Sequence, residues 1–154
     1  MKLKSGLVFV IAAVAFGAQA RDMNSIQQSG ELKVGVPGDY EPLAFHNKAG
    51  ELVGYDVDMA KDLGKRLGLK VSFVTTSWPT LSADLKADKF DIAMGGVTET
   101  AARAKDFALS QPVVPNGKIA LANCAAAPAL GSLEKIDQPN VKVVVNPGGT
   151  NQSF

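Results

Sequence analysis

The chain is poor in the residues that staple or metallate small proteins. Its 154 residues hold one cysteine, Cys124, and one histidine, His46. A single cysteine cannot close a loop within its own chain. Cys124 therefore reads either as a buried free thiol or as the partner of a cysteine outside this sequence. A single histidine gives a metal site no support, and no cofactor is expected. His46 falls in a polar turn and reads as an exposed turn residue. No run of basic residues occurs and the formal charge is only +1, so there is no electrostatic case for nucleic acid. The longest uncharged apolar stretch, "GLVFVIAAVAFGA", falls short of the ~20 residues that span a bilayer. What is present is ordinary for a globular chain: 46% hydrophobic and 20% charged residues, in a length that suits one domain.

The apolar stretch has a different meaning. Lys2 and Lys4 precede it, and "AQA" with Ala18 and Ala20 follows, ahead of Arg21 and Asp22. A basic start, a short apolar run and small residues at −3 and −1 make a secretory signal peptide over residues 1–20. Its removal takes two lysines and no acid, which leaves a mature charge of −1 and no stable membrane span.

Beyond it, strand and helix patterns alternate. Residues 24–29 read as a short helix stopped by Gly30, and 31–38 as an apolar-rich strand. "LAFHNKAGELVG" reads as a hairpin turning at Asn47-Lys48-Ala49-Gly50. In "GYDVDMAKDLGKRLG", Asp56 is the expected N-cap. Met59, Ala60, Leu63 and Leu67 share one helical face, and Gly68 ends the helix. Residues 69–77 are rich in β-branched side chains and read as the next strand. Pro79 opens another helix, with Leu81 and Leu85 on one face. Residues 90–97 read as a third strand, and "TAARAKDF" as a short helix. The order strand, helix, strand, helix, strand, helix calls for a parallel sheet in an α/β fold. Ligands of such sheets bind at the carboxyl ends of the strands. Here those ends are Gly38-Asp39-Tyr40, Thr76-Ser77-Trp78 and Gly95-Gly96-Val97-Thr98, three loops expected to line one cleft. After Pro112 the pattern changes: 113–124 reads as a long strand, "GSLEKI" as a helical turn or two, and "VKVVVNPG" as a core strand. The Asn146-Pro147-Gly148-Gly149 turn that follows offers backbone N–H groups to an anion.

Three stretches, "GYDVDMAKDLGKRLG", "KFDIAMGGVTETAARAKDFALSQPV" and "VVVNPGGTN", together resemble the periplasmic solute-binding proteins of the polar amino-acid class, bacterial family 3. "TTSWPTL" and "EKIDQPNVKVVVNPGGTNQSF" are similar to one branch of that family, the cyclohexadienyl dehydratases. The resemblance implies two α/β lobes around a cleft, the second inserted into the first. It divides the chain into a signal peptide (1–20), the N-terminal segment of lobe one (21–112), and a crossover with the incomplete beginning of lobe two (113–154).

The resemblance also implies roles. By spacing alone Arg103 is a surface arginine. In the resembled motif it grips a ligand α-carboxylate, which a guanidinium can do with two parallel hydrogen bonds. Gly95 and Gly96 would let backbone approach a ligand, and Thr98 offers a hydroxyl. Many family members carry Ser at the place of Gly95. Tyr40 and Trp78 either cover a ring-bearing part of a ligand or simply pack. Asp39 matches an acid of the dehydratase branch and is otherwise a turn aspartate. From lobe two, Asn146, Gly149, Thr150 and Asn151 would meet the carboxylate from the other side. The branch has Glu where this chain has Gln152. Two functions follow. One is a periplasmic binder of a small amino-acid-like carboxylate that serves an ABC permease. The other is a prephenate or arogenate dehydratase on the same fold, for which Asp39 is the one acid candidate in this sequence.

Overall fold

The computed structural model describes residues 21–115 and 117–153; the expected signal peptide lies outside them. The chain enters through α1 (Met23–Ser29). Asp22 caps this helix by accepting a hydrogen bond from Ser25 N, and left-handed Gly30 ends it. β1 (Glu31–Val36) then runs through the centre of a three-stranded parallel sheet. Its partners are β5 (Lys70–Thr75), in register from Glu31↔Lys70 to Val36↔Thr75, and the short β6 (Ile92–Ala93). Leu32, Val34 and Val36 are buried with Val57, Ala60, Leu69 and Ala44. A central parallel strand is covered on both faces, and Gly35 shows how. A Cβ there would meet the Phe90 ring at 2.5 Å, so the missing side chain is the space that buried Phe90 fills.

A second, antiparallel sheet contains β2 (Asp39–Tyr40), β3 (Ala44–His46) and β4 (Leu52–Val53). Its hairpin turns where expected. The Asn47 side chain accepts from Ala49 N and Glu51 N, and Gly50 takes a φ of 81°. His46 is exposed, with Nδ1 3.0 Å from Gly38 O.

α2 (Tyr55–Leu67) begins one residue before Asp56, with Gly54 as N-cap. The Asp56 carboxylate does not cap this helix, because distant amides claim it. Val57, Ala60 and Gly64 form its buried face, while Met59, Leu63 and Leu67 are partly covered. Gly64 lets the helix lie directly on Val71 of β5. α3 (Leu81–Lys86) starts two residues after Pro79, because the Ser77-to-Thr80 turn comes first: Thr80 N and Leu81 N both donate to Ser77 O. β6 is shorter than the expected 90–97. Met94 N still donates to Gly35 O, but the amides of Gly95 and Gly96 then turn away from the sheet. α4 (Ala101–Asp106) is capped by Thr100 Oγ1, which accepts from Arg103 N.

The expected strands over 113–124 and 141–148 are absent. The described residues beyond Pro112 hold only a 3-10 turn (Ala127–Leu130) and α5 (Leu133–Ile136). A strand needs a hydrogen-bonded neighbour, and no described strand pairs with these segments. Their apolar side chains face outward, Leu121 at 96% and Val144 at 92% exposure. Cys124 is exposed as well, against the reading as a buried thiol. Residues 150–152 continue as a turn, with Gln152 N donating to Gly149 O.

Candidate ligand cleft

The loops at the carboxyl ends of β1, β5 and β6 do converge. Asp39, Tyr40, Trp78, Gly96 and Thr98 line a cavity of about 210 Å³, and Asn146, Gly149, Thr150 and Asn151 close its other side. Two expected residues are not in this lining. Gly95 directs its amide to Asp56, and Arg103 lines an adjoining depression whose walls include Trp78, Gly149 and Thr150. The Arg103 guanidinium donates to Thr98 O at 2.7 Å. Burial pushes it below the ordinary arginine pKa.

One wall is aromatic. Trp78 meets Tyr40 edge to face, with centroids 6.3 Å apart and planes at 72°. The Trp78 indole N–H donates to Asp39 Oδ1 at 2.9 Å, so the tryptophan orients the one acid in the lining. Gly96, at φ 79°, leaves room for the Tyr40 ring, which a Cβ would meet at 2.5 Å.

The opposite wall is polar. Thr98 Oγ1 and Thr150 Oγ1 are 3.3 Å apart. Asn151 Nδ2 donates to Asn146 Oδ1 at 3.1 Å. Gln152 Oε1 accepts from Gly148 N at 2.6 Å, so one amide of the expected anion-binding turn is already occupied by this chain. Lys118 completes the wall. Its ammonium donates to Thr150 Oγ1 at 2.7 Å and to Asn151 Oδ1. Sequence reasoning missed Lys118, because it sits in a stretch read as a plain strand and nothing local marks it.

Two buried carboxylates brace the loops from behind. Asp84 of α3 accepts from Thr76 Oγ1 and from Lys89 Nζ, both at 2.6 Å. The Lys89 ammonium and the hydroxyls of Thr76 and Thr80 pull its pKa down to about 2. Asp56 of α2 accepts from Gly95 N and Gly96 N. No group of three or more metal-ligating side chains is found among the described residues, and no helix among them is long and apolar enough to cross a membrane.

The sequence model of the bacterial extracellular solute-binding proteins, family 3, matches residues 32–142. The chain belongs to this family. Within it, the chain is 40% identical over 145 residues to a cyclohexadienyl dehydratase of Pseudomonas aeruginosa, covering 94% of this chain and 54% of the relative. It is 30% identical over 156 residues to the histidine-binding periplasmic protein of Salmonella typhimurium, covering 100% of this chain and 55% of the relative. The crystal structure of an ancestral amino acid-binding protein, a precursor of cyclohexadienyl dehydratase, superposes with a TM-score of 0.81. That protein is 39% identical, and the match covers 84% of this chain and 57% of that one. The fold is thus the α/β fold of the two-lobed periplasmic binding proteins in family 3, and the chain spans about half the length of the curated relatives it matches.

Proposed function

We propose that the cleft binds a small amino-acid-like carboxylate in the periplasm and that the protein delivers it to an ABC transporter permease. The observation that carries this reading is the convergence of three sheet-end loops and the 146–151 turn on one cavity, aromatic on one wall and polar on the other. The ligand carboxylate would sit at Thr98 and Thr150, beside the Arg103 guanidinium that now donates to Thr98 O. Asp39, one oxygen held by Trp78, would face a ligand ammonium or hydroxyl. Residues 21–112 would belong to one lobe and residues from 113 onward to the crossover and the second. A ligand touching both favours the closed arrangement by its differential affinity, which is the form a permease would recognise.

A second reading is favoured by the 40% identity to a cyclohexadienyl dehydratase over 94% of the chain. Prephenate or arogenate would occupy the same cleft and lose carbon dioxide and water as its ring aromatises. The departing hydroxyl needs a positioned proton donor. Asp39 is the one acid that lines the cavity among the described residues.

One experiment separates the two. The protein is incubated with prephenate and with arogenate, and phenylpyruvate and phenylalanine are measured. Under the binding reading neither product exceeds the uncatalysed background, and at least one L-amino acid raises Tm by mass action. Saturable product formation sinks that reading and leaves the dehydratase.

A further inference from the structure

The Gly95-Gly96 turn would ordinarily be a place for a ligand anion. Two successive glycines at positive φ, 112° and 79°, aim adjacent backbone N–H groups at one point, and converging backbone N–H groups can hold an anion. Here the point is filled from within the chain. Asp56 Oδ2 accepts from Gly95 N and from Gly96 N, each at 2.7 Å. Asp56 is itself buried in the first turn of α2, where the helix dipole favours a negative charge. Its own amide is tied to Leu43 O at 2.8 Å. Asp56 therefore joins three parts of the fold, its amide tying helix α2 to the segment before β3 and its carboxylate tying the helix to the loop after β6.

We propose that Asp56 is a positioning residue for the ligand cleft, setting the Gly95-Gly96 turn and through it the placement of Thr98. This rests on the reading of the cavity as a ligand site. Both amides of the turn point at Asp56, so the loop faces the cavity with Gly96 and the Thr98 side chain rather than with these N–H groups. Thr98 in turn meets Thr150 with its hydroxyl and Arg103 with its carbonyl. Gly96 also carries the face against which Tyr40 packs. Without the Asp56 oxygen, two amides inside the fold lose their acceptor. The turn then has no reason to hold its left-handed geometry, and Thr98 shifts relative to Thr150.

The test compares Asp56→Ala with Asp56→Asn, whose side-chain carbonyl can still accept from both amides. Each variant is titrated calorimetrically with every L-amino acid and with prephenate, well below its own Tm, and amide hydrogen exchange is followed at Gly95 and Gly96. The expected result for Asp56→Ala is loss of protection at both amides and at least tenfold weaker binding of whichever probe the wild type binds. Asp56→Asn should retain protection and bind within a few-fold of wild type. A purely structural role would lower Tm and leave these affinities unchanged, which would overturn the proposal. So would unchanged protection in Asp56→Ala or, should that variant fail to fold, lost protection in a folded Asp56→Asn. A wild type that binds no probe refutes the functional reading and the ligand role with it. The exchange data then decide separately whether Asp56 holds the turn.

Discussion

Arg103 is the residue whose role depends most on what surrounds it. Its guanidinium is half-buried, has no carboxylate partner among the described residues, and donates to a backbone carbonyl that belongs to the cleft. Removing one partner of a desolvated charged contact costs about 2–5 kcal/mol, a tens- to thousands-fold loss of affinity. Arg103→Ala should therefore weaken carboxylate binding by that factor with little change in Tm, as titration calorimetry and a melting curve would show. Asp84 gives the second residue-scale expectation. Its pKa falls from 3.8 to about 2, chiefly through Lys89. A carboxylate depressed on folding contributes stability that is present above its unfolded value and is lost as pH falls through its folded one. The stability advantage of wild type over Asp84→Asn should therefore be full above about pH 4 and shrink towards pH 2, read as the difference in Tm between the two. Asp39, Tyr40, Trp78 and Thr98 were legible because a parallel sheet places its strand ends together, and their numbers follow from the strand pattern. Asp56 and Lys118 were not. The partners of Asp56 lie 39 and 40 residues away and those of Lys118 lie 32 and 33, so no local pattern records either pairing.

At the scale of elements, loops matter more than helices. α2 was legible almost to the residue, since its apolar spacing and Gly68 are local signals, and its left-handed C-cap is indeed Gly68. The two C-terminal strands were expected from Val and Ile content, but content cannot supply the neighbouring strand that a ladder requires. The 146–151 turn illustrates an element positioned by a single glycine. Gly148 has φ 72°, and a Cβ on it would lie 2.6 Å from Pro79 N. The turn is thus seated directly on the backbone that follows Trp78. Gly148→Ala adds left-handed strain of roughly 1–2 kcal/mol and pushes the turn off Pro79. The expected outcome is weaker ligand binding, with only a small fall in the denaturation midpoint, because the sheet core does not include this turn. Equal binding by wild type and Gly148→Ala would separate the turn from the site.

The whole molecule divides into a covered part and an uncovered part. Residues 21–107 wrap both faces of the parallel sheet, and among the described residues the buried hydrophobic ones all belong to that stretch. Past Pro112 most large apolar side chains point outward: Val113, Val114, Ile119, Leu121, Leu133, Val143, Val144 and Val145 are all exposed. The family was legible in the order of its motifs across the chain, whereas this imbalance was not, because the same valines and leucines would be written for a buried strand. Exposed large apolar side chains in this number favour association, and extended apolar segments without a ladder partner are the usual place for it. Residues 21–154 produced alone should therefore bind a hydrophobic dye and self-associate as concentration rises. Replacing Ile119, Leu121 and Val144 together by threonine should suppress both effects. Amide protection in β1 and β5 should be unchanged by the replacement, since none of the three side chains belongs to the sheet core. Sedimentation and hydrogen exchange measure the two halves of the claim. Loss of β1 protection in the triple variant would mean that the outward-facing segment supports the core after all. A monomeric, dye-silent wild type would mean that the segment covers its own apolar side chains.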